Sequence, residues 1–161
     1  MVTSLPKSAI SGLATSDSPV FAGVNVGEDT LSVYDEGTWT PVMKIGTTTI
    51  STGTPVGKHI KIGKQVTVWF SIPFNRGTNT GNVTVTGLPF ASTQDAPGTV
   101  ILNDYVDGSP PIIPSANSGG TVIAFYVLPL TTETQLANMT DAQIKASTAS
   151  TLYGTITYYA S

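Results

Sequence analysis

Alternation of apolar and polar residues is the feature that most constrains what this chain can fold into. In the stretch 65–72 every second side chain is apolar, namely Val66, Val68, Phe70 and Ile72. The residues between them are Thr67, Trp69 and Ser71. A period of two is typical of a β-strand with one buried face. The stretch is therefore predicted to be a half-buried strand whose threonine side carries Trp69.

Two further runs have strand character. The nearly continuous hydrophobicity of 121–128 predicts a strand that is covered on both sides. The last strand is predicted at 150–159, with Tyr158 on one side and Tyr153 and Tyr159 on the other. Aromatic residues on both sides suggest that this strand contributes to a shared interface.

Turn residues between these runs indicate the fold class. Clusters of Gly, Pro, Asn and Asp recur at short intervals between the predicted strands. Short strands separated by frequent turns predict an all-β protein, an antiparallel β-sandwich of jelly-roll-like type. At most one short helix is expected, at 140–147, where Thr140 and Gln143 have the spacing of a capping box.

The composition favours self-association and excludes several partners. Charged residues make up 11% of the 161 positions, whereas Ser and Thr together supply 41. A surface with few charges repels its own copies only weakly. The net charge of -3 argues against nucleic acid, which needs a clustered excess of Lys and Arg. No stretch has the roughly 18 apolar residues of a membrane span, and no signal-peptide pattern opens the chain.

The few charges are unevenly distributed. Residues 1–36 contain five carboxylates and one lysine, whereas 37–94 contain four lysines, one arginine and no carboxylate. In one interpretation the acidic segment lies on the basic stretch of the same or a neighbouring subunit. In the other interpretation, the charged residues of both segments lie on solvated loop tips. Because exposed ion pairs contribute little to stability, this second interpretation is favoured.

Residues 1–35 are predicted to form an extended N-terminal anchoring arm, followed by a β-sandwich domain at 36–161. Pro and Gly interrupt the short apolar islands of the arm, and none of these islands is long enough for a helix. Such a segment can pair its backbone with another surface and insert apolar side chains into pockets. The predicted arm anchors are Leu13, Val20, Phe21 and Val33.

Several short phrases follow one another in a characteristic order. Asp-Glu-Gly-Thr-Trp-Thr-Pro at 35–41 is followed by Lys-Ile-Gly at 61–63 and by Gly-Leu-Pro-Phe at 87–90. A strand containing Gly-Thr and an aromatic residue closes the chain at 152–158. In this order the phrases resemble a β-module of bacteriophage tail fibres and related virion appendages, over about residues 13–92 and the last ten.

The resemblance implies a structural protein of the virion, and proteins of this kind are typically homotrimers. Because the chain begins about thirty residues before the module, it favours a capsid decoration protein or short fibre, anchored by its arm to capsid or tail proteins. The alternative is a tail-fibre tip that attaches to host surface polysaccharide. The expected location is the virion, after synthesis in the bacterial cytoplasm.

Chemistry-bearing residues are few, and no catalysis, metal or cofactor is expected. His59, the sole histidine, has no carboxylate close to it in sequence and is expected to be structural or exposed. The carboxylates of 103–108 are spaced as in a turn and lack the closing Glu of a calcium loop. Cleavage of a polysaccharide would need two opposed carboxylates. The acidic residues that qualify by type alone are Asp95, Asp104, Asp107 and Glu133.

Aromatic residues supply the candidates for contact outside the domain. Trp39 is expected to pack at the start of the first strand. Trp69 lies on the threonine side of its strand and is predicted to contact a sugar or another subunit, the subunit being favoured. Tyr105 is the second candidate for a surface or receptor contact.

Overall fold

The computed structural model describes residues 24–26, 29–31, 34–128, 135–146 and 149–161. The chain divides into two units, Met1–Ser32 and Val33–Ser161. In the first unit, strands β1 (Val24–Val26) and β2 (Asp29–Leu31) pair antiparallel. All the predicted arm anchors, Leu13, Val20, Phe21 and Val33, lie outside the described residues, so the anchoring arm stays a prediction.

The second unit is built from antiparallel strands. These are β3 (Tyr34–Trp39), β4 (Val42–Ile45), β5 (Thr48–Thr49), β6 (Val56–Ile62), β7 (Gln65–Asn75), β8 (Val83–Thr86), β9 (Ala96–Leu102), β10 (Ile112–Ala116), β11 (Val122–Val127), β12 (Ala137–Asn138) and β13 (Ala149–Tyr159). Their order across the sheet is β3-β6-β7-β13-β9-β10-β11-β8-β4-β5, and β12 pairs with β11 outside this path. Tyr34 and Asp35, the last residues of the predicted arm, belong to β3 and pair with β6.

Strand β9 joins two halves of the sheet, a first half of β3, β6, β7 and β13 and a second half of β10, β11, β8, β4 and β5. Its first two residues, Ala96 and Pro97, pair with β10, whereas 98–102 pair with β13. The sheet therefore turns back on itself at β9, as sandwiches do where one strand changes sheets. A backbone hydrogen bond also links the residue after β5, at the end of the strand order, to the last residue of β7. The Ile50 carbonyl accepts it from the Asn75 N–H at 3.0 Å. The predicted all-β, sandwich-like antiparallel fold is confirmed.

The strands with the clearest alternation in sequence occupy the centre of the first half. In β7 and β13 every second residue points into the core, and the side chains on the core side of β13 include Leu152, Ile156 and Tyr158. Strand β11 is buried more continuously, and Ala124 on its second side is only 8% exposed. The face assignment made from sequence is therefore confirmed for β7 and β13, whereas the second side of β11 is only partly covered, because Val122 and Tyr126 are half-buried.

Glycines opposite aromatic rings shape the core side of the first half. A Cβ at Gly57 would lie 2.5 Å from Nε1 of Trp39, and a Cβ at Gly154 would overlap the ring of Phe70. The two rings meet edge to face with their centroids 6.0 Å apart. Each ring thus fills the space above a neighbouring strand that a side chain would otherwise occupy.

The predicted helix is shorter than expected. A 3-10 helix spans Asp141–Gln143 and is capped by Thr140, whose N–H donates to Oε1 of Gln143 at 2.8 Å. The capping box is therefore present. The helix ends at Ile144 because that residue is extended, fully buried and bridged to Tyr105. In the described part of the chain no helix is long and apolar enough to cross a bilayer.

A half-buried ion pair joins this helix to the end of β7. The guanidinium of Arg76 donates to Oδ2 of Asp141 at 2.6 Å and to the Ile144 carbonyl at 2.9 Å. The other carboxylate oxygen accepts from the Gly81 N–H at 2.9 Å. The Gly81 N–H and Arg76 together lower the pKa of Asp141 below its ordinary value of 3.8.

Replacement of Gly154 by alanine tests the packing of rings over glycines. The new methyl group overlaps the Phe70 ring, so we expect Gly154→Ala to lower the free energy of unfolding by about 1 to 3 kcal/mol. Gly120→Ala is the matched control, because its nearest neighbours lie 3.9 Å away. Its effect should stay within about 0.5 kcal/mol. Equal effects in urea unfolding would contradict the packing described here.

Replacement of Asp141 by asparagine tests the ion pair through its pH dependence. Because the pKa of the folded carboxyl is lowered, its stabilisation is present above pH 3.8 and is lost as the pH falls through the folded value. Asp141→Asn should lower the free energy of unfolding at neutral pH by about 1 to 3 kcal/mol. The difference from wild type should narrow below pH 3.8. Asp107→Asn, at a 99% exposed side chain, should change little at either pH.

Candidate functional site

One side of the first half of the sheet carries most of the large apolar side chains that the described part of the domain exposes. This outer face consists of the residues that point away from the core on β3, β6, β7, β13 and 98–102 of β9. The exposed large hydrophobic residues on it are Tyr34, Val56, Ile62, Trp69, Ile101, Tyr153 and Tyr159. Within the described residues, just two others are exposed, Leu128 and Leu136.

Strand register places Trp69 near the middle of the outer face. It lies opposite Lys58 on β6 and Thr155 on β13. In the next row, Tyr153 on β13 lies opposite Ile101 on β9. Trp69 is 43% exposed and Ile101 is 67% exposed. The predicted placement of Trp69 on an exposed threonine side is therefore confirmed, while its role as a contact stays a prediction.

Shallow depressions adjoin the Trp69 side chain. One of about 430 Å³ is lined by Trp69, Tyr153 and Ile101, together with Thr99 and Thr155. A second of about 340 Å³ lies toward Glu36, Thr38 and Lys58, and a third of about 190 Å³ lies toward Val56 and Ser71. Trp69 is thus a shared wall between shallow, open grooves rather than part of a closed pocket.

The outer face is almost free of charge. Its described strand residues include one carboxylate, Glu36, and one cation, Lys58. Glu36 accepts a hydrogen bond from the hydroxyl of Tyr34 at 2.7 Å, and this bond raises the pKa of Tyr34. The remaining polar groups are mainly hydroxyls, such as the pair Thr67 and Thr157, whose Oγ1 atoms are 2.9 Å apart. Such a surface offers stacking, apolar contact and hydroxyl hydrogen bonds.

His59 lies on the core side of β6 and packs on the Gly-Leu-Pro-Phe phrase. Its ring meets Phe90 edge to face at 5.4 Å, and Nζ of Lys61 lies 4.4 Å from the centroid of the Phe90 ring. The His59 Nε2 atom is 3.7 Å from Oδ2 of Asp35. This neighbour is 24 positions away in sequence and is brought close by the pairing of β3 with β6. Of the two expected outcomes for His59, a structural or an exposed residue, its 8% exposure agrees with the structural one.

The phrases that carry the family resemblance meet in the core. Trp39 is buried, as predicted, and its Nε1 donates to the Lys58 carbonyl at 3.3 Å. The Tyr158 hydroxyl donates to the Phe90 carbonyl at 3.0 Å. Burial raises the pKa of Tyr158 to about 12, so it is neutral over the ordinary pH range. The buried positions of these phrases therefore specify packing, whereas alternate positions such as Tyr153 lie on the outer face.

Tyr105, the second predicted contact residue, lies away from the outer face. It is half-buried against the core, and its hydroxyl donates to the Pro110 carbonyl. Burial raises the pKa of this hydroxyl. Because the hydroxyl already has a partner within the domain, Tyr105 is not included in the candidate site.

The acidic residues considered for metal binding or catalysis lie in separate loops and turns. Oδ1 of Asp95 accepts from the Ser118 N–H at 2.8 Å, and Asp107 faces Lys145 at 3.8 Å. Asp104 lies in the same turn region as Asp107, and Glu133 is outside the described residues. Across the described ranges no group of three His, Asp or Glu residues is placed to hold a metal ion.

Sequence reasoning found the centre of the outer face and missed most of its rim. Val56, Ile62 and Ile101 were not singled out, and Tyr34 was assigned to the arm. For β6 the sequence did contain a usable signal. Alternate residues of a strand point to the same side, and these are Val56, Lys58, Ile60 and Ile62. Only the pairing of β6 and β9 with the central strands puts these residues beside Trp69.

The fold is similar to part of a much longer solved protein, the Dettilon tailspike protein (gp208). The match has a TM-score of 0.57 and 16% sequence identity, and it covers 76% of this chain. It spans 23% of the tailspike chain. At this identity the likeness concerns the fold alone. No protein-family model and no curated protein matches this chain.

Proposed function

We propose that this chain is a structural protein of a bacteriophage virion and forms a homotrimeric surface appendage that works by binding. The observation that carries the proposal is the likeness of its fold to part of a tailspike protein. The order of phrases in the sequence, which resembles a tail-fibre module, supports the same class of particle protein.

The outer face supports binding rather than turnover. Its grooves are open and shallow, and among its described outward-pointing strand residues Glu36 is the single carboxylate. Hydrolysis of a glycosidic bond commonly requires two carboxyl groups on either side of the bond. A broad face of aromatic rings and hydroxyls is instead suited to contact with another surface.

The likeness to a tailspike favours the tail over the capsid as the site on the particle. Attachment through residues 1–35 to other virion proteins remains part of the proposal, because an apolar segment can pair with a neighbouring sheet. Arg76, one of the cations of the basic stretch 37–94, already forms an ion pair with Asp141. It therefore does not need an acidic residue of the segment 1–35 as its partner.

Labelling of assembled particles tests the location and the arm together. Particles carrying an epitope-tagged chain should bind antibody at the tail in electron microscopy. A chain that lacks residues 1–30 should fold with the same β-rich circular dichroism but be absent from particles, because its attachment segment is gone. Label spread over the capsid would contradict a tail location and indicate a capsid decoration protein. Normal incorporation of the shortened chain would contradict attachment through residues 1–30.

A second candidate function is attachment to host surface polysaccharide. The observation that favours it is the half-exposed indole of Trp69, which has grooves beside it and threonine hydroxyls around it. An aromatic ring supplies an apolar face for a sugar ring, and the nearby hydroxyls supply hydrogen bonds.

Adsorption of particles to host cells distinguishes this candidate. If Trp69 contacts a glycan, Trp69→Ala should leave particle assembly intact and lower the adsorption rate roughly tenfold or more, as expected for loss of a central aromatic contact. Leu128→Ala removes an exposed apolar side chain away from the outer face and is the control. Unchanged adsorption by the Trp69→Ala particles would rule out this use of Trp69.

A further inference from the structure

We infer that the outer face is the surface through which copies of this chain associate, so that Trp69 and Ile101 are covered by a second copy. The inference deepens the proposed homotrimer, on which it rests, by assigning its contact surface. It is carried by the size of the face, its composition and its charge.

The size of the outer face approaches that of a stable interface. Its five strands lie about 4.8 Å apart and average about eight residues at about 3.4 Å each, which gives a flat area of roughly 650 Å². Side chains that stand above the sheet add to this area. Each partner of a standard protein interface contributes about 800 Å².

The composition of the outer face is that of an interface core. Aromatic residues are enriched and charged residues are depleted at the centre of protein interfaces. Here Trp69, Tyr153 and Ile101 line the groove of about 430 Å³, none of whose lining residues is charged, and Lys58 lies opposite Trp69 on β6. The exposed large apolar residues away from this face, Leu128 and Leu136, lie outside the strands.

The charges on the outer face favour a second copy as the occupant. Glu36 and Lys58 lie on the neighbouring strands β3 and β6, and together they make the face neutral. Two such faces meet without net repulsion, and the carboxylate of one can approach the ammonium of the other. A strongly basic or strongly acidic partner would gain no net electrostatic attraction from this neutral face.

The groove of about 430 Å³ is less suited to a polysaccharide than to a protein. Saccharide sites need polar groups that converge on the sugar hydroxyls. In this groove the polar side-chain groups are the hydroxyls of Thr99, Thr155 and Tyr153, and they adjoin Ile101, which is 67% exposed. Burial of Ile101 and of the Trp69 indole by an apolar surface removes more unfavourable hydration than burial by a sugar.

A charge placed in the proposed interface should separate the copies. In Ile101→Glu, the carboxylate would be buried without a partner, so the dissociation constant of the full-length chain should rise roughly 100-fold or more. Leu128→Glu places the same charge on an exposed side chain away from the outer face and should associate as wild type does. Sedimentation equilibrium gives the masses, and circular dichroism checks that both variants are folded.

Tryptophan fluorescence of the wild-type chain provides a second test that needs no variant. The chain has two tryptophans, of which Trp39 is 8% exposed and Trp69 is 43% exposed. Association through the outer face should reduce iodide quenching of Trp69 and shift its emission to shorter wavelength as concentration rises. Association elsewhere would leave Trp69 open to quenching.

The outcomes separate this inference from the proposed function. A wild-type dimer or trimer in which Trp69 is shielded, and which Ile101→Glu dissociates, supports the assigned interface. A dimer would support the interface while contradicting the homotrimer. A wild-type chain that stays monomeric, an oligomer with Trp69 still quenched, or an Ile101→Glu variant that associates like Leu128→Glu would overturn the inference. None of these results decides whether the chain is found on tails, which particle labelling measures independently.

Discussion

The packing of aromatic rings over glycines on neighbouring strands is the interaction on which the rest of the domain depends. Trp39 lies over Gly57, and Phe70 lies over Gly154. Because these rings must point into the core, the residues next to them in sequence point the other way. Trp69 is directed outward by the burial of Phe70, and Tyr153 by its position beside Gly154. The constraint that builds the core therefore also creates the outer face.

The phrases that resemble a virion module serve mainly this core. Trp39 is buried, Phe90 supports His59 and accepts the Tyr158 hydrogen bond, and Gly154 makes room for Phe70. Because these positions pack the core, a resemblance at them indicates a similar fold. This agrees with the structural similarity to part of a tailspike at low sequence identity. The contacts proposed for the outer face would involve the alternate positions, where packing places fewer limits on the residue type.

Much of the fold could be predicted because its signals are local. A period of two located β7 and β13 and assigned their faces, and the spacing of Thr140 and Gln143 located the capping box. The extent of that helix was wrong because Ile144 is held extended by burial and by its bridge to Tyr105. Burial of this kind depends on neighbours distant in sequence, and no local pattern reports it.

The sequence by itself determined the fold class, the side of β7 that carries Trp69, and the low overall content of charged residues. Those properties follow from residue type and from alternation along one strand. Only the tertiary structure decided which strands are neighbours. The strand order β6-β7-β13-β9 gathers Val56, Ile101 and Tyr153 near Trp69, and the pairing of β3 with β6 puts Asp35 beside His59. Strand order is set by burial of the whole core and by long-range hydrogen bonds, so it cannot be derived from any one segment.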